Sequence, residues 1–374
     1  MTNNYYSKYK KYKTKHDNLK LDPNNLVEIS LLKEIFSVVN KINPTIIGMG
    51  HATHGQNLIN KYCVDMFRLL VKKFNVTVFV LEDQYSTCQL INNYIHGDNN
   101  MNLNSLINKL MWPWRSIYLV QLIKWMKKYN LENNNQLEFK GVDIAFVVPE
   151  YSPSNDPVSL YIKKLTEMKP KYSFEEDYKN HNYRDAAMFE IFMKIYDRTK
   201  KYFIMMHNGH VEKESNYVGV KNFGLYMNYY FANNYFVIGN SFNGDSFLAL
   251  NRIVEPYGLQ VSDFGGEIDV SKLTYYEGVT LNYYDDINFQ KTKPSDLKYK
   301  LQNGLTWNPV HNKLLKELGI PIINNNKSFH KMFTIEAGSN FDPSNIYRTP
   351  IMYRIRNRFD VVLQLSHDTA LQFE

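Results

Sequence analysis

Continuous apolar runs of strand length alternate along this chain with longer stretches of helical spacing. PTIIGMG (44–50) and VTVFVLE (76–82) are rich in β-branched residues and nearly uninterrupted, the pattern of strands covered on both faces. Between them, NLINKYCVDMFRLLVKKF places Leu58, Tyr62, Met66, Leu69 and Leu70 on one helical face. The three segments read as a βαβ unit with a right-handed crossover. The same alternation predicts helices near 87–96, 114–129 and 184–199, and strands at 137–144, 202–207, 235–242 and 359–365. Strands alternating with helices predict an α/β fold with a central mixed, largely parallel sheet flanked by helices. The stretch 276–330, rich in Asn, Lys, Tyr and Pro, has weak periodicity and reads as irregular surface excursions; the Asn clusters at 133–135 and 324–326 read as loops. One domain is expected over 26–374, after a basic, disordered tail at 1–25.

The strand ends carry the chemistry. The first predicted strand ends at His51 and His54 in GMGHATHG, the second at Glu82 and Asp83, the third at Asp143, the fourth at His207, Asn208 and His210 in MMHNGHV. Four strands thus deliver an imidazole or a carboxylate to the carboxyl edge of the sheet, where open α/β sheets place their sites. Asp143 reads equally as a helix N-cap. Arg184 and Asp185 open the predicted helix at 184. In its first turn Asp185 suits the helix dipole, whereas Arg184 suits an oxyanion or an acid group. Trp112 and Trp114 flank Pro113 and read either as a wall of the cleft or as core; Trp125, at helical spacing with Leu122 and Met126, reads as core.

With 44% hydrophobic and 15% aromatic residues in 374, the chain can bury a large core, which excludes a disordered protein. Much of the formal charge of +7 sits in the first twenty residues. That leader either is a solvated tail or touches nucleic acid or an anionic surface. The two cysteines, Cys63 and Cys88, stand in no ligand spacing and read as buried thiols of a reducing compartment. No run of about 18 apolar residues occurs, so a soluble, cytoplasmic protein with no membrane contact is expected. Heavy use of Asn, Lys, Ile and Tyr suggests an AT-rich coding source such as a large DNA virus or a parasite.

These motifs resemble, in order, those of the erythromycin esterase family, over about residues 40–370. Gly50-His51-Ala52-Thr53-His54-Gly55 is similar to the family's G-E-x-T-H-G. Glu82 and Asp83 match its Glu-x-Asp with the Asp displaced by one. MWPWRSIYLVQLIKWMKKYN resembles its Trp-rich segment, FKGVDI its Gly-x-Asp, RDAAM its Arg-Asp-x-x-Met and HNGHV its His-Asn-x-His-Val. The resemblance implies an α/β fold with a helical region over the cleft, and metal-independent hydrolysis of an ester or lactone. It places the general base on His54 and an essential glutamate on Glu82, with Arg184, His207 and His210 completing the catalytic wall and His51, Asp83, Trp112, Trp114 and Asn208 on the substrate side.

Three glutamates of the family pattern are replaced here, by His51, Leu58 and Tyr118, so macrolide hydrolysis does not follow from the resemblance. Three readings stand. In the first, activated water hydrolyses a small-molecule carboxylic ester or lactone without a cofactor. No serine stands in a Gly-x-Ser-x-Gly elbow and neither cysteine lies in a motif, which argues against an acyl-enzyme. In the second, His51, His54, Glu82, His207 and His210 hold zinc or a similar divalent ion. In the third, the chain is a non-catalytic binding or structural relative.

Overall fold

The computed structural model describes residues 26–98, 100, 102–134, 136–144, 156–168, 177–214, 220–242, 246–251, 273–277, 304–321, 333–336, 340–341, 351–354 and 356–365. The basic leader at 1–25 and most of 276–330 lie outside them. Among the described residues the chain begins with helix α1 (Leu26–Ile42) and strand β1 (Ile46–His51), followed by α2 (Leu58–Phe74) and β2 (Val76–Gln84). Then come α3 (Tyr85–Ile95), α4 (Leu103–Ile107), a 3-10 turn over Trp112–Trp114, α5 (Ile117–Glu132) and β3 (Glu138–Asp143). Helices α6 (Pro157–Met168) and α7 (Asp177–Ile195) precede β4 (Lys201–His207), the short α8 (Asn208–Val211), α9 (Phe223–Phe231) and β5 (Tyr235–Phe242). The remainder holds β6 (Ser246–Asn251), β7 (Leu273–Glu277), β8 (Gly304–Trp307), α10 (Asn312–Glu317), β9 (Phe333–Glu336), β10 (Asn340–Phe341), β11 (Ile351–Arg354) and β12 (Val361–Leu365).

Seven strands form the main sheet in the order β3-β2-β4-β1-β5-β12-β8, parallel throughout except for the antiparallel edge pair β12/β8. Uninterrupted apolar runs follow from burial on both faces. Along β1, β2 and β4, Ile47, Met49, Phe79, Leu81, Phe203 and Met205 enter one core with α1 to α5, while Ile46, Val78, Val80, Tyr202, Ile204 and Met206 enter a second with α6, α7 and α9. Local chemistry sets the boundaries. Asn75 ends α2 in the left-handed region at φ 59, its N–H returning to Leu70 O. Ser116 caps α5 by accepting from Leu119 N. Among the described residues no helix is long and apolar enough to cross a membrane.

Two expectations are corrected here. The stretch expected to be irregular at 276–330 contributes β8 to the main sheet, where Thr306 and Leu305 pair with Val362 and Leu363, and adds α10 beside it. The helix expected from 184 starts at Asp177, because its first two turns, DYKNHNY, are too polar to show a face. Asp185 is therefore well inside the helix, and the dipole argument for it fails.

Strand order places the site. Since β4 lies between β2 and β1, the ends of three adjacent parallel strands bring Glu82, His207 and His51 together, with His51 and His207 in register. Gly50 lets α8 pack against β1 here. A Cβ at Gly50 would fall 2.1 Å from Asn208 Oδ1 and 3.0 Å from Asn208 Cα. Overpacked cores lose about 1–3 kcal/mol, so Gly50→Ala is expected to lower the urea midpoint by a corresponding amount. An unchanged midpoint would show that α8 is not held by this contact.

Candidate active site

The carboxylate of Glu82 is the centre of a buried network. Its Oε1 accepts from Arg184 Nη2 at 2.9 Å and lies 3.3 Å from His210 Nε2; its Oε2 accepts from the backbone N–H of His207 at 2.7 Å. Arg184, from α7, forks onto Asp143 at the end of β3, with Nε to Oδ1 at 2.9 Å and Nη2 to Oδ2 at 2.7 Å. From α8, His210 reaches Asp185 Oδ1 through Nδ1 at 2.8 Å, and the same carboxylate oxygen accepts from Phe223 N. Three carboxylates thus surround one guanidinium and one imidazole, and charge balance decides the protonation. Burial disfavours a cation at His210, but Asp185 and Glu82 outweigh it and raise its pKa to about 10. Burial would also raise the Glu82 carboxyl, yet His210, Arg184 and His54 hold it well below the usual range. His210 Nε2 also lies 3.0 Å from Arg184 Nη1. With His210 protonated, its Nε2–H is directed to Glu82, and the carboxylates hold the two cations together.

Three further imidazoles form the neutral half of the site. Rings of His54 and His207 lie 5.1 Å apart, those of His51 and His207 5.4 Å. His207 Nδ1 accepts from Gly209 N at 3.2 Å, capping α8, so its Nε2 carries the proton and donates to Ala52 O at 3.3 Å. Burial, reinforced by His54, lowers the His207 pKa to about 3. Burial also lowers His54, to about 4, against the pull of Glu82. His54 is the half-buried member; its Nδ1 bonds to His51, and among the described residues nothing bonds its Nε2. Trp112 and Trp114 are both buried, and both rings stand within 6.4 Å of His54. Trp114 Nε1 donates to Glu82 O at 2.6 Å. Of the two readings of this pair, the structure supports a packed wall behind the imidazoles.

Of the residues expected in the site, His51, His54, Glu82, Arg184, His207, His210, Trp112 and Trp114 come together. Asp83 and Asn208 are instead fully buried and bonded to neighbouring segments of the fold. Asp83 is fully buried, accepts from Gln84 N at 2.6 Å and Met111 N at 2.8 Å, and so fixes the turn leading to Trp112. Burial pushes its pKa to about 8. Asn208 donates to Asn240 O at 2.7 Å and accepts from Asn240 N at 3.1 Å, latching α8 to β5. Leu58 and Tyr118 pack against the core. Asp143 ends its strand as the partner of Arg184. Asp185 joins the site unexpectedly; the signal for it was its place beside Arg184 in RDAAM. Among the described residues, no group of three or more His, Cys, Asp and Glu is arranged to hold a metal. Most donor atoms of the expected ligand set are engaged by other groups: His51 Nε2 with His54 Nδ1, His210 with Asp185 and Glu82, and Glu82 with Arg184 and His207 N.

The fold is shared with solved structures. A succinoglycan biosynthesis protein is 15% identical, with 90% of this chain and 92% of that one covered and a TM-score of 0.60. A Bacillus cereus protein is 16% identical over 92% and 93% of the two chains, with a TM-score of 0.61. A variant of the erythromycin esterase EreC in its open conformation is 9% identical over 90% and 94%, with a TM-score of 0.51. No curated protein matches the sequence. The family model for erythromycin esterase matches residues 71–173 and 158–270, a span that begins after His51 and His54 but takes in Glu82, Asp143, Arg184, Asp185, His207 and His210. Because that span exceeds half of the chain, the protein belongs to the erythromycin esterase family, which is of hydrolase type.

Proposed function

We propose that the chain hydrolyses a small-molecule carboxylic ester or lactone with activated water, and that His54 is the general base. The observation that carries this reading is the environment of His54 Nε2. It is a neutral imidazole nitrogen with no partner among the described residues, in a half-buried ring beside the Glu82–Arg184–His210 network. His54 takes a proton from water as the water oxygen attacks the carbonyl carbon. As the tetrahedral intermediate collapses, the carbon–oxygen bond to the leaving group breaks, and His54 returns its proton to the departing alkoxide. Acid and alcohol are the products. The positive charges of Arg184 and His210 stabilise the oxyanion as it forms, and Glu82, Asp143 and Asp185 hold those cations in place. No metal enters the reaction.

Incubation with macrolides, simple lactones and aryl esters, read by mass spectrometry as the gain of one water, tests this reading. Turnover of at least one class is expected, unchanged after treatment with EDTA. Silence across the panel would remove the hydrolase reading, and activity lost to EDTA and restored by zinc would replace it with a metal-dependent one.

A further inference from the structure

Two histidines on the turn that leaves a strand can each face outward, or can pair. Here they pair: His51 Nε2 lies 2.8 Å from His54 Nδ1, with ring centroids 4.7 Å apart. A single proton occupies the space between two ring nitrogens, so the tautomer of one ring dictates that of the other. A proton on His51 Nε2 would leave neutral His54 protonated at Nε2, a donor unable to take a proton from water. A proton on His54 Nδ1 leaves the Nε2 lone pair available.

We propose that His51 is the positioning residue of His54: its Nε2 accepts the His54 Nδ1–H and keeps Nε2 of His54 unprotonated, a neutral imidazole filling the place of an orienting carboxylate. The proposal rests on the reading of His54 as the base. It also corrects the expectation that His51 faces substrate. The His51 ring is 2% exposed and is wedged edge-on between Trp114, at 5.1 Å and 88°, and His207, at 5.4 Å and 85°. Packing therefore fixes the ring and the position of its Nε2 against His54. In this tautomer His51 Nδ1 carries a buried hydrogen with no partner among the described residues. Such a group costs about 1–3 kcal/mol, which the wedge of rings has to offset.

The exchange of a carboxylate for an imidazole has a functional consequence. A carboxylate acceptor would raise the pKa of the base it orients; a neutral acceptor adds no charge. Burial, which lowers it, is the largest influence on His54. The charged groups around it are Glu82 and Asp143, which favour its cation, and His210 and Arg184, which oppose it. The other rings against it, His51 and His207, are themselves held neutral by burial, reinforced by His54. The base thus stays unprotonated in mildly acidic solution, where a carboxylate-oriented histidine would already be charged.

Imidazole two-bond 1H–15N spectra of the full chain read the tautomer without any substrate. In the wild type, His54 should show Nδ1 protonated and Nε2 bare, and should titrate near pH 4. His51→Ala should give mixed tautomers. His51→Gln, which keeps an acceptor, should restore the wild-type pattern, and His51→Glu should raise the His54 midpoint by about one pH unit or more. On a hydrolysed ester, His51→Ala should lower kcat by roughly 10- to 1000-fold with KM little changed, less than the roughly 10⁴-fold loss of a fully wrong imidazole tautomer because a mixture keeps part of the population competent. The acid limb of the His51→Glu profile should move up with the midpoint. His54 protonated at Nε2 in the wild type, or an unchanged tautomer in His51→Ala, would overturn the proposal. Failure of the two readings is separable. The expected tautomer without turnover keeps the pair and removes the hydrolase; turnover that depends on His54 but not on His51 keeps the hydrolase and removes the positioning role.

Discussion

His54→Ala should lower kcat/KM for a hydrolysed ester by about a hundredfold or more, the contribution of a positioned general base, and should leave the thermal midpoint almost where it was. The two halves of this expectation follow from different observations. The ring is half-buried and makes one side-chain hydrogen bond, to His51, so its loss removes little packing and no charge. Catalysis loses a neutral, half-buried imidazole whose Nε2 has no partner among the described residues. His207 stands 5.1 Å away and is also neutral, but its Nδ1 caps α8 and its Nε2 is bonded to Ala52 O, so it cannot take over. Initial rates on the most rapidly hydrolysed ester, with circular dichroism melts of both proteins, check the two halves together. Equal rates in variant and wild type would move the reaction elsewhere on the sheet edge and leave the paired histidines without a catalytic role.

How far the sequence carried this site depends on which interactions are local. Continuous runs such as VTVFVLE announce strands covered on both faces, and their polar ends announce the carboxyl edge. His51, His54, Glu82 and His207 were therefore legible as neighbours before any coordinates. Strand order was not. That β4 lies between β2 and β1 is decided by packing far along the chain, and so are the pairings of Arg184 with Asp143 and of His210 with Asp185. Asp185 looked like a residue of the first helical turn only because the polar start of α7 hid two turns. Asn208 and Asp83 share the chemistry of ligands, and nothing local distinguishes a ligand from a latch that satisfies backbone groups. A four-residue edge strand such as β8 is too short to show a period.

Removing Glu82 should be strongly destabilising, because it leaves Arg184 and His210 buried with one carboxylate fewer. Breaking a buried ion pair from one side costs about 3–5 kcal/mol, and Glu82→Ala is expected to fall in that range in urea unfolding at neutral pH. Glu82→Gln, which can still accept from His207 N, should cost less. The pH dependence identifies the network as the cause. A histidine raised from 6.5 to about 10 contributes stability that is complete below pH 6.5 and is lost as pH rises through 10. A carboxylate held below its ordinary 4.5 contributes stability that is present above pH 4.5 and is lost on acidification. Wild-type stability should therefore decline towards pH 10 as His210 loses its proton, and should also decline below about pH 6.5, where His51, His54 and His207, held neutral in the fold, take up protons only in the unfolded chain. In Glu82→Gln, His210 keeps Asp185 alone, its pKa falls, and the alkaline decline should begin at lower pH. Unfolding free energies that show the same alkaline decline in both proteins would mean that Asp185 by itself sustains the His210 cation. Glu82 would then be needed for the geometry of Arg184 and the His207 N–H, and not for the charge of the site.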